Sequence, residues 1–491
     1  MEHDTNRTAK ELASNAVPRA LWARLGVTYL TLGALAWWLE DGIGPDAWWI
    51  HGVWCLIGLA VAAPTIARMF RIPFAVVLTD HRLMFLASFS LYFLFGAALL
   101  AFGPESQVEE SLRYYPIAAN DAMRVNAING LGFGLALLTS WLSRGRWLGA
   151  GAARSAALLS VAPVSLAIGL FLLVGAVAYI HVLSFDLGLI DGVVPGILRA
   201  LGKLSLAAIM LAAAYRGRGE RWLRACGAVL TLLLIVGGTL QFNKTEVLVA
   251  IGAFTAGLSL RFGSRWVVPV GLAVIVAMYL SMGSFVLSGR YATAHEGIRS
   301  LQERWELVRA DWATMMNPSE SERYGSWARL AYTVPQVAAL DLRDAGQGGD
   351  GFELIGWAFI PRFVATDKPE MTRTGREFND KIIGREGTSS TGQGIFASGY
   401  YHGGWWGLVL ASIICGWIVA QTSSIARAIV SANAVLLTPF CMLGLYIAFR
   451  IDGDFVADYI GAFVFMLYPI LALTLISSVA SSTRRQAPRL A

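Results

Sequence analysis

The sequence predicts an all-α polytopic membrane protein of about twelve transmembrane helices, with a large extracytoplasmic loop between helices nine and ten. Three observations carry that prediction. The 491 residues are 56% hydrophobic and only 15% charged, with a mean hydropathy of +0.56, which is too apolar for an ordinary soluble domain. Apolar runs long enough to cross a hydrocarbon core of ~30 Å recur along the chain. The connections between them alternate between basic and acidic or neutral, and the positive-inside rule turns that alternation into a topology.

Twelve runs meet the length criterion. They span about Leu21 to Trp38, Ile50 to Ile66, Leu83 to Phe102, Ile128 to Leu142, Ala157 to Val182 and Val194 to Ala214. The remainder are Cys226 to Phe242, Val247 to Leu260, Val267 to Ser284, Trp405 to Ser423, Ala432 to Phe449 and Val456 to Ser478. Arg7, Lys10, Arg19 and Arg24 precede the first run, and Arg or Lys residues follow every even-numbered one, ending with Arg484, Arg485 and Arg489. Both termini are therefore expected in the cytoplasm. The opposite connections, such as Glu40 to Asp46, Gly103 to Asn126 and Ile451 to Asp454, are acidic or neutral. This divides the chain into a cytoplasmic tail (1–20), nine spans (21–284), an extracytoplasmic loop (285–402), three spans (403–479) and a second cytoplasmic tail (480–491). The polar first residues carry no cleavable-signal pattern, so the first span is expected to be retained.

Within the loop, Ile298, Leu301, Trp305, Val308, Trp312 and Met315 recur at spacings of three and four, the pattern of an amphipathic helix. A second helical pattern covers Trp327 to Leu342 and is interrupted at Pro335. Two apolar stripes so close to a bilayer fit caps on the bundle better than helices lying in the interface.

Several function classes fall away. The net charge of +6 is scattered over short connections instead of forming a basic stripe, so no nucleic-acid partner is expected. Cys55, Cys226, Cys415 and Cys441 all sit in or beside apolar runs without a CxxC pair, so neither a disulfide framework nor a metal site is predicted. No metal-protease, nucleotide-loop or nucleophile-elbow motif occurs, and no cofactor is expected.

The chemistry is expected where cations and proton acceptors concentrate on the extracytoplasmic side. Lys244, Arg199, Lys203, Arg290, Arg329, Arg362, Lys368, Arg373 and Arg376 could form a collar for a diphosphate, whose oxygens take bidentate Arg hydrogen bonds and the Lys point charge. Arg199 and Lys203, four apart, are placed on one face of the sixth helix near its outer boundary. The competing structural reading pairs Lys244 with Glu246, and Arg373 and Arg376 with Glu370, Glu377 or Asp380. Glu377, Asp380, His402, His295, Asp367 and Glu353 are candidate bases, of which His402, Glu377 and Asp380 lead. Tyr400 and Tyr401 could stack on sugar faces, although aromatic residues at this depth also form the ordinary interfacial belt.

Ile360-Pro-Arg362, Lys368-Pro369, Gly375, Phe378-Asn379 and Gly399-Tyr-Tyr-His-Gly-Gly404-Trp-Trp-Gly407 together resemble the Wzy-type oligosaccharide repeat-unit polymerases, membrane glycosyltransferases grouped with the O-antigen ligases. The resemblance covers the loop and its re-entry helix, and more weakly Asn243-Lys244. It implies metal-independent, inverting transfer of a glycan from a polyprenyl-diphosphate-linked donor to a lipid-linked acceptor, at the outer face of a bacterial cytoplasmic membrane. The product would be an O-antigen or exopolysaccharide. It makes Arg362, Lys368 and Lys244 functional residues. The implied partners are membrane lipid, a chain-length regulator and a flippase. The rival readings are an O-antigen ligase acting on lipid A core and a lipid-linked glycan flippase or transporter, for which the intramembrane Lys203 argues. A fourth is a polyprenyl-monophosphate-sugar transferase using Glu40-Asp41.

Overall fold

Apolar side chains on every face of a long run leave a backbone in lipid only one solution, internal i to i−4 hydrogen bonds. The computed structural model describes residues 17–112, 115–143, 146–159, 164–192, 194–262, 266–283, 285–286, 289, 300–316, 330–361, 364–365, 367–371, 373–384 and 390–486. It is 81% helical, with no strand among the described residues. Among the described residues, eight helices are long and apolar enough to cross a membrane: Trp48–Met69, Arg82–Phe102, Ala119–Leu142, Val164–Asp186, Glu220–Leu240, Lys244–Phe262, Ile395–Ser431 and Phe455–Ile476. The chain is a multi-pass membrane protein. The other four expected runs coincide with the helix Arg19–Leu39 and with the shorter apolar helices Leu204–Ala214, Val267–Ser281 and Val435–Phe449.

Two groups of helices arise. In the first, the helices Arg19–Leu39 and Ala119–Leu142 cross at small residues: a Cβ on Gly33 would lie 2.5 Å from the Leu131 nitrogen, and one on Gly130 only 2.8 Å from Gly33 Cα. Small residues let backbones meet where lipid supplies no hydrophobic drive for association. Around this crossing Tyr29, Phe89, Phe133 and Phe396 pack edge-on or stacked, Phe89 on Phe133 at 3.8 Å between ring centroids. The helices Ile395–Ser431, Val435–Phe449 and Phe455–Ile476 complete this group. The second comprises the helices from Val164 to Ser281, cored by Ile168, Tyr179, Ile209 and Leu234. The groups join at one end, where Val435, Leu436 and Met442 pack against the core of the second.

Two sequence expectations change, and the expected loop helix forms. The tenth span starts at Ile395, ten residues before Trp405, and is interrupted at Gly404 (φ 59°, ψ −147°), a conformation essentially reserved for glycine. His402 therefore lies inside a helix, buried, and not at the mouth of a loop. The sixth span is divided at Lys203 into Gly196–Gly202 and Leu204–Ala214, and the Lys203 N–H still reaches the Arg199 carbonyl at 3.3 Å, one turn back. In the loop, Leu301–Met316 is helical and inserts Val308 among Leu240, Phe242, Met282 and Phe285, while Arg304 donates to the Leu240 carbonyl at 3.2 Å.

Candidate functional site

Two apolar helices are joined by Arg450-Ile-Asp-Gly-Asp454, a short connection in which Asp454 is buried and Arg450 and Asp452 are half-buried. Asp454 caps the following helix, its Oδ1 accepting from the N–H groups of Val456 and Ala457 at 2.9 and 2.8 Å. Its Oδ2 accepts from the Ser398 hydroxyl at 3.1 Å and His402 Nε2 at 3.2 Å. His402 Nδ1 accepts the Gly351 N–H at 3.1 Å, so the ring is the Nε2–H tautomer with both nitrogens engaged. Four residues on, Asp458 takes the Asp454 N–H and the Arg450 guanidinium, both at 2.9 Å, and Arg450 also donates to the Tyr446 hydroxyl at 2.9 Å.

Asp452 completes the constellation. Its Oδ2 accepts from the Tyr332 hydroxyl at 3.1 Å, while its Oδ1 faces Arg450 Nε at 3.6 Å, too far for a hydrogen bond. Burial raises the Asp452 carboxyl above its ordinary range, and Arg450 and Tyr332 offset only part of that rise. Asp454, two residues away, goes the other way: burial would raise it, but His402, the Ala457 N–H and Ser398 more than compensate and hold it below the ordinary carboxylate value. Burial first, then Asp452 and Tyr92, keeps the Tyr332 hydroxyl protonated far beyond the usual tyrosine range. Asp452 Oδ1 and Arg450 Nε find no hydrogen-bond partner among the described residues, and the hydroxyls of Ser90 and Thr333 and both amide atoms of Gln393 are among the other buried polar atoms of which this is true. Ser90 begins one π-helical segment, Ser90–Phe95, and Asp454 caps another, Phe455–Ile460. Such segments concentrate at functional sites.

The predicted site residues distribute unevenly about this centre. His402 belongs to it. Lys244 stands over the Tyr279 ring at 4.2 Å, and Tyr279 acts electrostatically on Tyr332. Lys368 donates to the Ile360 carbonyl at 2.8 Å, and Tyr468 of the last span donates to the adjacent Phe359 carbonyl at 2.6 Å. By contrast, Arg373 pairs with Glu377 at 2.7 Å and with Asp350 at 3.6 Å, and Arg376 pairs with Glu370, all on an exposed surface. Asp380 lies on the same Arg373–Ile383 helix. Tyr401 is buried, its hydroxyl accepting from Lys381 at 3.0 Å. Arg199 pairs with Asp186 at 3.5 Å, whereas Lys203 lies on the Phe465 ring at 5.3 Å. Arg290 and Arg362 lie outside the described residues, as do Arg329 and His295.

Tyr400 joins a separate cluster. Its hydroxyl donates to Asp344 at 2.9 Å, Arg124 pairs with Asp344 and Asp341, and Tyr115 donates to Asp341 at 3.0 Å. Glu40 borders this cluster, pushed up to about 7 by burial, against the pull of Arg124 and with help from Asp41 and Asp121. Tyr400 and Trp405 pack edge-on at 5.5 Å, and Trp405 on Trp37 at 4.8 Å.

Sequence reasoning missed Arg450, Asp452, Asp454, Asp458, Ser398, Tyr332 and Gln393. As sequence, the connection from Ile451 to Asp454 signals topology alone. The usable clue was density: four charged residues within the nine from Arg450 to Asp458, at the junction of two apolar runs. No family model, curated protein or solved structure matches the chain.

Proposed function

We propose that the chain is a membrane glycosyltransferase that polymerises polyprenyl-diphosphate-linked oligosaccharides at the extracytoplasmic face of a bacterial cytoplasmic membrane, using about twelve transmembrane helices as its scaffold. The observation that supports this reading is the half-buried Arg450–Asp452 pair, whose facing atoms Arg450 Nε and Asp452 Oδ1 lack hydrogen-bond partners among the described residues, in the turn that the returning loop meets where the Ile395 N–H reaches the Ile451 carbonyl. Such a cluster suits an incoming hydroxyl-rich ligand, since buried polar groups are otherwise paired.

In the proposed reaction an acceptor hydroxyl sits at Asp452 Oδ1. Its oxygen bonds to the anomeric carbon of the donor, its proton passes to Asp452, and the bond from that carbon to the diphosphate breaks with the electron pair leaving on the lipid diphosphate. Arg450 and Lys244, with Lys368 and Arg362 from the loop, would balance the charge that develops on the leaving group. The single displacement inverts the anomeric centre. His402 acts through Asp454, fixing the turn that carries Asp452; with both ring nitrogens engaged it is a positioning residue, and Asp452 replaces it, Glu377 and Asp380 as the proposed base. An O-antigen ligase would use the same donor chemistry with a different acceptor.

The test uses purified full-length protein reconstituted with lipid-linked oligosaccharide. Asp452→Asn should lower transfer roughly 10²- to 10⁴-fold while donor binding persists, the loss expected for a removed general base. Arg450→Lys should weaken donor binding as well. Wild-type rates in both variants, or no lengthening of the oligosaccharide by the native protein, would reject the reading. In a deletion strain, accumulation of short lipid-linked units separates a polymerase from a ligase, which would leave long polymer on lipid.

A further inference from the structure

We propose that the seam between the two helical groups is the lateral access route for a lipid-linked diphosphate, and that Lys203 is its deepest phosphate contact, about half-way across the bilayer. The identity of the lipid rests on the transferase reading above; the depth and the charge do not.

Three independent rulers place Lys203 at that depth. The 11-residue helix Leu204–Ala214 rises only about 16 Å between Lys203 and its far end, half of a ~30 Å hydrocarbon core. The turn at Lys203 packs on Gly175, where a Cβ would lie 2.6 Å from the Ser205 nitrogen, and Gly175 is the midpoint of the 23-residue helix Val164–Asp186. On the opposite wall the ammonium rests on Phe465, the middle of the 22-residue span Phe455–Ile476. Sequence alone places Lys203 near the outer boundary. In the structure the seven-residue helix Gly196–Gly202 lies on one side of Lys203 and the eleven-residue helix Leu204–Ala214 on the other, which sets it well inside the run.

An ammonium at this depth is costly in hydrocarbon, and its four-carbon stem cannot carry the charge ~15 Å to either interface. Among the described residues no carboxylate pairs with it; the nearby Asp186 is taken by Arg199. In this proposal its compensating anion comes from outside the protein. The seam is not sealed at this level, for Leu201, Phe465 and Tyr468 keep 36, 47 and 37% of their surfaces exposed. Phe465 lies seven residues beyond Asp458 along the same span, so the ring under Lys203 and the carboxylate on Arg450 stand at two levels of one helix, about 10 Å apart along its axis. Cations at two levels of one apolar groove complement a molecule with an anionic head and a long hydrocarbon tail. A diphosphate, elongated and multiply charged, can engage both levels.

The experiment uses the full chain in phosphatidylcholine nanodiscs, titrated with undecaprenyl diphosphate and with undecaprenol as the uncharged control, with native mass spectrometry as the readout. Lys203→Met and Lys203→Gln should each lose tenfold or more in affinity for the diphosphate lipid and nothing for the alcohol, while Lys203→Arg retains binding. A photoreactive isoprene next to the diphosphate should label the Leu201 and Phe465 walls. Unchanged affinity in both neutral variants, equal competition by phosphatidylglycerol, or labelling confined to the Arg373–Ile383 helix would overturn the proposal. Lys203-dependent binding without glycan transfer would keep it and remove the transferase reading in favour of translocation. Transfer indifferent to Lys203 would do the reverse.

Discussion

Two short charged stretches of this chain have similar composition and opposite physics. The helix Arg373–Ile383 carries Arg373, Arg376, Glu377, Asp380 and Lys381, and its Arg373–Glu377 pair has side chains 55 and 45% exposed. The turn from Arg450 to Asp458 carries Arg450, Asp452, Asp454 and Asp458, and its Asp454–His402 contact has side chains 3 and 1% exposed. Water screens the first set, so each pair there is worth little and each charge can be replaced by solvent. In the second set Asp454 and its partner His402 have been taken out of water, while Arg450, Asp452 and Asp458 are only half-buried, so it is at Asp454 that every missing partner is felt. The lesson is that charge count locates a site less well than the dielectric in which the charges sit.

The largest effect should come from breaking the buried side of this contrast. Asp454→Ala removes the acceptor for four donors and should destabilise the protein by roughly 3–5 kcal/mol, measured by denaturant unfolding in detergent micelles. The same carboxyl has a signature in pH. Because its folded value lies below the unfolded one, its contribution is complete above the ordinary carboxylate range and is lost as pH falls through the depressed value. Wild-type stability should therefore drop on acidification below about pH 4, and Asp454→Asn should lack that acid limb. Asp452 has the opposite sign, being raised, and stabilises below the ordinary range and less as pH increases.

A smaller loss is expected at Gly404, where the helix carrying His402 is interrupted. Alanine there must adopt φ 59° and ψ −147°, at a cost of about 1–3 kcal/mol, although a Cβ would touch nothing closer than Arg343 at 3.6 Å. A melting temperature equal to wild type for Gly404→Ala would mean that the break is not needed to hold the first part of this helix against Gly351 and Asp454. The smallest effect belongs to the exposed helix. A double-mutant cycle on Arg373→Ala and Glu377→Ala should return a coupling below about 1 kcal/mol that fades as salt is added. A coupling as large as that of the buried turn would erase the distinction between the two stretches.

Much of the architecture was legible from hydropathy because lipid imposes one rule on every residue of a span. Each of the twelve apolar runs has a helical counterpart, and the stripe from Leu301 to Met315 did form a helix that buries Val308. Helix ends were less legible: nothing local in Ile395-Phe-Ala-Ser-Gly-Tyr-Tyr distinguishes a helix above the bilayer from a loop until Phe396 packs on Phe89 and Phe93. The site was the least legible part. His402 could be named from its type, but its partners Gly351 and Asp454 are 51 and 52 residues away in the chain. Composition and the period of the apolar runs by themselves determined that this chain is a helical multi-pass membrane protein with a polar excursion late in its length. Tertiary structure alone decided which charges are buried together and that the Lys203 ammonium lies on the Phe465 ring. Hydrophobicity acts residue by residue and can be summed along a sequence, whereas a carboxylate's environment is made by groups that only folding brings within 4 Å of it.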